Sequence, residues 1–125
     1  MRAAYCYGAA SVVVGGNRIP HLGRIAADTQ RAWRHMPLLE TEDVLSVLPF
    51  ESVPIAVDIL DGARSLPDFV HPERAFYVFG GEDQTLPSAL VKRCRHVVSV
   101  PTRFCMNLAA TVNVVLYDRM IKGGP

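Results

Sequence analysis

SVPTRFCMNLAATVNVVLYDR, residues 99–119, leaves an apolar segment, crosses the loop Pro101–Met106 and enters a helix with almost no polar face. Leu108, Val112, Leu116 and Met120 follow one helical stripe, and Val114 and Val115 widen it. A helix apolar nearly all round is either central to a core or part of a subunit contact. Asn107, at its start, has two readings: a plain N-cap, or a polar group held where a ligand arrives. Asn113 costs helix propensity in mid-helix and calls for a partner. The pattern gives a helix over about 107–121, stopped by Gly123-Gly124-Pro125.

Upstream, short apolar runs alternate with helical periods. Residues 2–8 read as a helical opening, and 10–14 as a buried strand ended by Gly15-Gly16. Residues 24–36 keep helical spacing through Ile25, Thr29, Ala32, Trp33 and Met36 until Pro37 closes them. Thr41 is the expected N-cap of a short helix reaching about Leu48. Residues 53–59 form a near-continuous apolar strand, as in a parallel sheet covered on both faces. Residues 61–74 read as loop with at most one helical turn. Ala75–Phe79 and His96–Val100 are further strands, flanking a helix over Pro87–Cys94 with proline at its first position. The alternation implies an α/β parallel sheet, with binding beyond the carboxyl ends of its strands.

At 125 residues the chain reads as one domain, 1–125, and at 50% apolar and 20% charged as soluble and globular. No apolar run nears the roughly 20 residues that span a bilayer. The opening residues lack the long apolar stretch of a signal peptide, so the expected compartment is the cytoplasm. Three cysteines without C-x-x-C spacing and four scattered histidines argue against a zinc site, and no metal is expected. Net charge is +1, but residues 1–39 carry +4, residues 40–91 carry −8 and residues 92–125 carry +5. Eleven of the thirteen basic residues are arginine. The basic ends are either solvated surface or an arginine-rich face suited to phosphates.

The strand Ala75–Phe79 runs into FGGEDQTLP, residues 79–87. Adjacent glycines let the backbone turn sharply and approach a ligand. A phosphate cradle is excluded, because Glu82 and Asp83 follow at once and neither G-x-G-x-x-G nor G-x-x-x-x-G-K-[ST] is present. The loop suits a ligand that is neutral or cationic at this point.

Phe79-Gly80, Glu82 and Leu86-Pro87, followed by Val100-Pro101, Met106-Asn107-Leu108, Val112 and Val114-Val115-Leu116-Tyr117-Asp118, resemble the SpoU/TrmH family of SPOUT RNA methyltransferases. The spellings Leu86-Pro87 and Met106-Asn107-Leu108 are most similar to its small single-domain tRNA 2′-O-methyltransferases. Arg2 to Ala9 resembles the later part of the family's first motif. The resemblance implies a SPOUT fold with a C-terminal trefoil knot, S-adenosylmethionine as cofactor, a homodimer, and methylation of a ribose 2′-hydroxyl of RNA, tRNA first and rRNA second. The resemblance further implies an N-terminally truncated form, without the family's first strand and without an asparagine normally six residues before the arginine. Gly81 and Thr85 replace a frequent proline and glycine, and Cys105 stands where many members have serine.

By the same resemblance, Val57, Gly80, Gly81, Val100, Pro101, Cys105 and Met106 line the cofactor site. Arg2, Glu82 and Asn107 are the catalytic candidates, with Arg18, Arg24 and Arg103 as RNA contacts. Methyl transfer is an in-line displacement that needs positioning and loss of a proton. A guanidinium is not readily deprotonated, so Arg2 is expected to anchor phosphate rather than act as a base. The alternative function is a non-catalytic, knotted RNA- or cofactor-binding remnant of the family; a flavodoxin-like nucleotide-binding domain is a more distant one.

Overall fold

A computed structural model describes residues 2–15, 36–80 and 85–123. The chain divides into two compact units, Met1–Leu48 and Pro49–Pro125.

In the first unit, helix α1 (Arg2–Cys6) ends at Gly8, whose φ of 77° is left-handed. Ala9 N–H donates to Ala4 O at 2.9 Å and Gly8 N–H to Tyr5 O at 3.1 Å, the paired closure that a glycine there permits. Strand β1 (Val12–Gly15) lies parallel to β2 (Leu38–Thr41), with Val12 opposite Leu38 and Gly15 opposite Thr41. Gly15 therefore belongs to the strand rather than ending it. A methyl group there would collide with Val44 Cγ1 and lie 3.1 Å from Thr41 O, so the close approach of the next turn demands glycine. That turn, Val44–Val47, is a 3₁₀ helix capped by Asp43, whose Oδ1 accepts from Leu45 N–H at 3.2 Å. The expected α-helix capped by Thr41 is thus replaced: Thr41 ends β2, a strand the sequence did not announce. The expected helix over 24–36 lies outside the described residues except for Met36, which is buried.

The second unit is a four-stranded, wholly parallel sheet. Strands β3 (Val53–Val57), β4 (Arg64–Ser65), β5 (Ala75–Phe79) and β6 (His96–Ser99) are ordered β4-β6-β3-β5. Val57 pairs with Phe79 on one side and Val98 on the other, while Ser65 pairs with Ser99. The central strand β3 buries Ile55, Ala56 and Val57, as its uninterrupted apolar run requires. Ile55, Val57, Leu66, Phe69, Val98 and Val115 form one core cluster. Complete burial of a side chain such as Ile55 contributes about 1.5–3 kcal/mol.

Helix α2 (Ser88–Arg93) starts one residue later than expected, with Pro87 at the N-cap. Helix α3 (Leu108–Ile121) presents Val115 to the core. Its C-terminal end is tied to the segment before β5. Lys122 Nζ donates to Leu66 O (2.7 Å) and Phe69 O (3.0 Å), and Arg119 donates to Pro72 O and Glu73 O, each at 2.7 Å. Of the apolar stripe, Leu108, Val112 and Leu116 are half-buried and Met120 is 49% exposed, so the buried face centres on Val115. Among the described residues no helix is long and apolar enough to cross a membrane.

Candidate functional site at the strand ends

Parallel register brings the carboxyl ends of β3, β5 and β6 side by side. Val57 is buried, while Gly80 and Val100, which follow β5 and β6, are half-buried. These three expected cofactor-site residues thus extend from neighbouring strands. No one stretch of sequence could assemble them; the ladder does so.

Asp58, immediately after β3, holds the adjoining loops. Its N–H donates to Val98 O at 3.0 Å, Oδ1 accepts from Ile59 N–H at 2.8 Å, and Oδ2 accepts from Leu86 N–H at 2.8 Å. The carboxylate therefore fixes the return of the glycine loop, whose Leu86 is buried. Sequence reasoning missed it, although an acid directly after an apolar strand at a carboxyl end was a usable signal.

After β6 the chain folds tightly. Thr102 N–H donates to Val100 O at 2.8 Å and Thr102 Oγ1 to Phe104 O at 2.7 Å. Pro101, Arg103 and Cys105 are exposed and Met106 is half-buried. Asn107 then caps α3: its Oδ1 accepts from Ala110 N–H at 2.8 Å, and Thr111 Oγ1 donates to its backbone oxygen at 2.9 Å. One of its two readings is therefore realised, and capping leaves the amide Nδ2 available for a ligand. Arg2 is exposed on the first residue of α1, in the other unit. Gly81, Glu82, Arg18 and Arg24 lie outside the described residues.

Among the described residues the strand ends gather apolar side chains, backbone and the internally satisfied Asp58 carboxylate, with Arg103 and the Asn107 amide on the loop that follows. The strand ends themselves, apolar and with an acidic residue in place of a basic one, suit an uncharged nucleoside carrying a cationic centre. Among the described residues no group of three or more His, Cys, Asp or Glu is placed to hold a metal.

At the far end of α3 the chemistry is different. His71 Nε2 lies 2.7 Å from Asp118 Oδ2 and Nδ1 lies 2.7 Å from the Tyr77 hydroxyl, with the histidine side chain 4% exposed. Burial pushes His71 below its ordinary value of 6.5, against the opposing pull of Asp118. Burial would raise Asp118, but hydrogen bonds from Lys122 and His71 outweigh it and hold the carboxyl low. A neutral imidazole donating Nε2–H to an ionised carboxylate satisfies every partner. This network anchors the helix and is separate from the strand-end site.

Comparison with solved structures finds the same fold. The SpoU methyltransferase AviRb from Streptomyces viridochromogenes, in complex with the cofactor AdoMet, matches with a TM-score of 0.76 at 20% identity, covering 98% of this chain and 54% of that one. An AdoMet-bound rRNA methyltransferase from Sinorhizobium meliloti gives 0.80 at 18% identity, covering 96% and 49%. A probable methyltransferase from Bordetella pertussis Tohama I gives 0.72 at 12% identity, covering 97% and 82%. The chain spans about half the length of the first two. Comparison with curated proteins finds no significant match. The family model described as the SpoU rRNA Methylase family matches residues 1–117, nearly the whole length, and the chain belongs to that family.

Proposed function

We propose that this protein is an S-adenosylmethionine-dependent RNA methyltransferase acting on a ribose 2′-hydroxyl. The observation that carries the reading is the convergence of Val57, Gly80 and Val100 at neighbouring strand ends in a chain of this family. In it, Val57, Gly80, Gly81, Val100, Pro101, Cys105 and Met106 hold the cofactor. Bound there, S-adenosylmethionine supplies an electrophilic methyl group on a cationic sulfonium. Positive charge disperses as the methyl moves, so Val57, Val100 and Met106 assist by excluding water. Arg2 holds an RNA phosphate, and Asn107 Nδ2 and Glu82 orient the groups around the hydroxyl. The methyl group would come from the cofactor, and the hydroxyl proton would pass to the oxygen of the phosphate that Arg2 holds and on to solvent.

The same proposal includes the family's C-terminal trefoil knot and a homodimer. Val114, Tyr117 and Ile121 recur at helical spacing on α3 with 37%, 51% and 60% of their surface exposed, which supports a subunit contact along that helix. Transfer RNA is the first substrate to offer, and ribosomal RNA the second.

Calorimetric titration with S-adenosylmethionine, followed by methyl transfer to each RNA, tests the reading. Arg2→Ala should keep cofactor affinity and lose roughly 10²–10³-fold in transfer, the scale of one positioned electrostatic group. Wild-type protein that folds but binds no cofactor would refute the proposal.

A further inference from the structure

The loop between β6 and α3 holds two exposed side chains, Arg103, an RNA-contact candidate by resemblance, and Phe104, to which the methyl-transfer chemistry gives no role. Phe104 is 82% exposed, and Arg103 beside it is exposed with no partner among the described residues. Their backbone is not loose. Pro101 restricts the turn, Thr102 N–H donates to Val100 O, and Thr102 Oγ1 donates to Phe104 O. An aromatic ring and a guanidinium are thus displayed on a braced turn at the carboxyl end of a strand, three residues before Asn107. Rigidity of this kind lowers the entropy lost on binding.

We propose that Phe104 is a stacking platform for an unpaired base of the RNA, with Arg103 holding the adjoining phosphate. This rests on the RNA methyltransferase reading and names the substrate feature that reading leaves open. A base within a duplex has both faces covered by its neighbours; only an unstacked base offers one to an aromatic ring. Charge favours RNA over a second copy as the occupant, since the residue beside the ring is the exposed cation Arg103, which complements a phosphate. The exposed large apolar residues of α3 begin only at Val114, about 9 Å along the helix axis from Leu108.

The test is fluorescence anisotropy with a labelled RNA stem–loop and with the same strand annealed to its full complement. Wild type should prefer the stem–loop. Phe104→Ala should weaken stem–loop binding by roughly five- to a hundredfold, the range for loss of one stacked base. Phe104→Leu should lose most of the same affinity and Phe104→Tyr should keep it, which separates stacking from mere apolar contact. Equal affinity of wild type for both RNAs, or of Phe104→Leu and Phe104→Tyr for the stem–loop, overturns the inference while leaving the enzyme reading intact. A shift of Phe104→Ala to monomer in sedimentation places the ring in a subunit contact and also overturns it. Failure of wild type to bind S-adenosylmethionine removes the methyltransferase reading itself, and the inference with it.

Discussion

Replacing His71 by phenylalanine tests how the C-terminal helix is held. The new ring fills a similar space and keeps the edge-on packing against Phe69 and Tyr77, at centroid distances of 5.1 and 5.8 Å. It removes both polar contacts. Asp118 Oδ2 retains Lys122 at 2.8 Å, and the Tyr77 hydroxyl retains Arg119 NH1 at 3.2 Å, so neither partner is fully orphaned. One lost hydrogen bond is to a charged carboxylate and one is neutral, which together predict a destabilisation of about 2–4 kcal/mol at neutral pH.

The pH dependence sharpens the test. His71 faces Asp118, Tyr77, Lys122 and Arg119, and burial sets its folded pKa below 6.5. Below pH 6.5 the unfolded chain therefore binds a proton that the folded chain refuses. Wild-type stability should fall as pH drops from 6.5 towards the folded value, with a slope of at most about 1.4 kcal/mol per pH unit from this group. The variant lacks the group, so the gap between the two proteins should narrow over that window. Urea denaturation of both proteins followed by circular dichroism across the window reads the gap directly. A gap that widens on acidification would mean that histidine is charged against Asp118 in the folded state, and the argument from burial would be wrong.

Two further changes address the site and the first unit. Asn107→Ala should cost about 0.5–2 kcal/mol by uncapping α3, whereas Asn107→Asp should keep the cap and remove the amide; full methyl transfer by the aspartate variant would reduce Asn107 to a cap. Gly15→Ala should lower stability by about 1–3 kcal/mol, because the added methyl meets Val44 and Thr41 O, and an unchanged thermal midpoint would contradict that packing.

The strands of the second unit were legible because β3, β5 and β6 are apolar runs set off by turn residues. Strand β2 was not: Leu38-Leu39-Glu40-Thr41 is four residues long, wedged between Pro37 and an acidic pair that reads as a helix start. β4, with two residues, has no period at all. The apolar surround of α3 concealed which side is buried, because periodicity selects a face only when another face is polar. Val57, Gly80 and Val100 were named as candidates through family resemblance alone, and the parallel ladder sets them at or just beyond neighbouring strand ends, which no single stretch of sequence could show. Asp58 and the His71–Asp118 pair depend on contacts that local pattern cannot see; the latter pair is 47 residues apart.

Helix α3 consequently has two ends with different duties. Fourteen residues at about 1.5 Å each separate the Asn107 cap from the Arg119–Lys122 grip by roughly 21 Å. At one end a single side-chain cap adjoins a loop braced only by its own short-range hydrogen bonds. At the other, Asp118, Arg119 and Lys122 are held by His71, Tyr77 and four backbone oxygens. Placing the strong polar contacts away from the strand ends leaves the exposed side chains of the loop before α3 uncommitted while the helix that follows it stays in position. Loss of His71 should therefore lower stability with little change in cofactor affinity among the molecules that remain folded. A parallel loss of affinity at a temperature where the variant is fully folded would show that the network also shapes the site, and would end the division of labour along the helix.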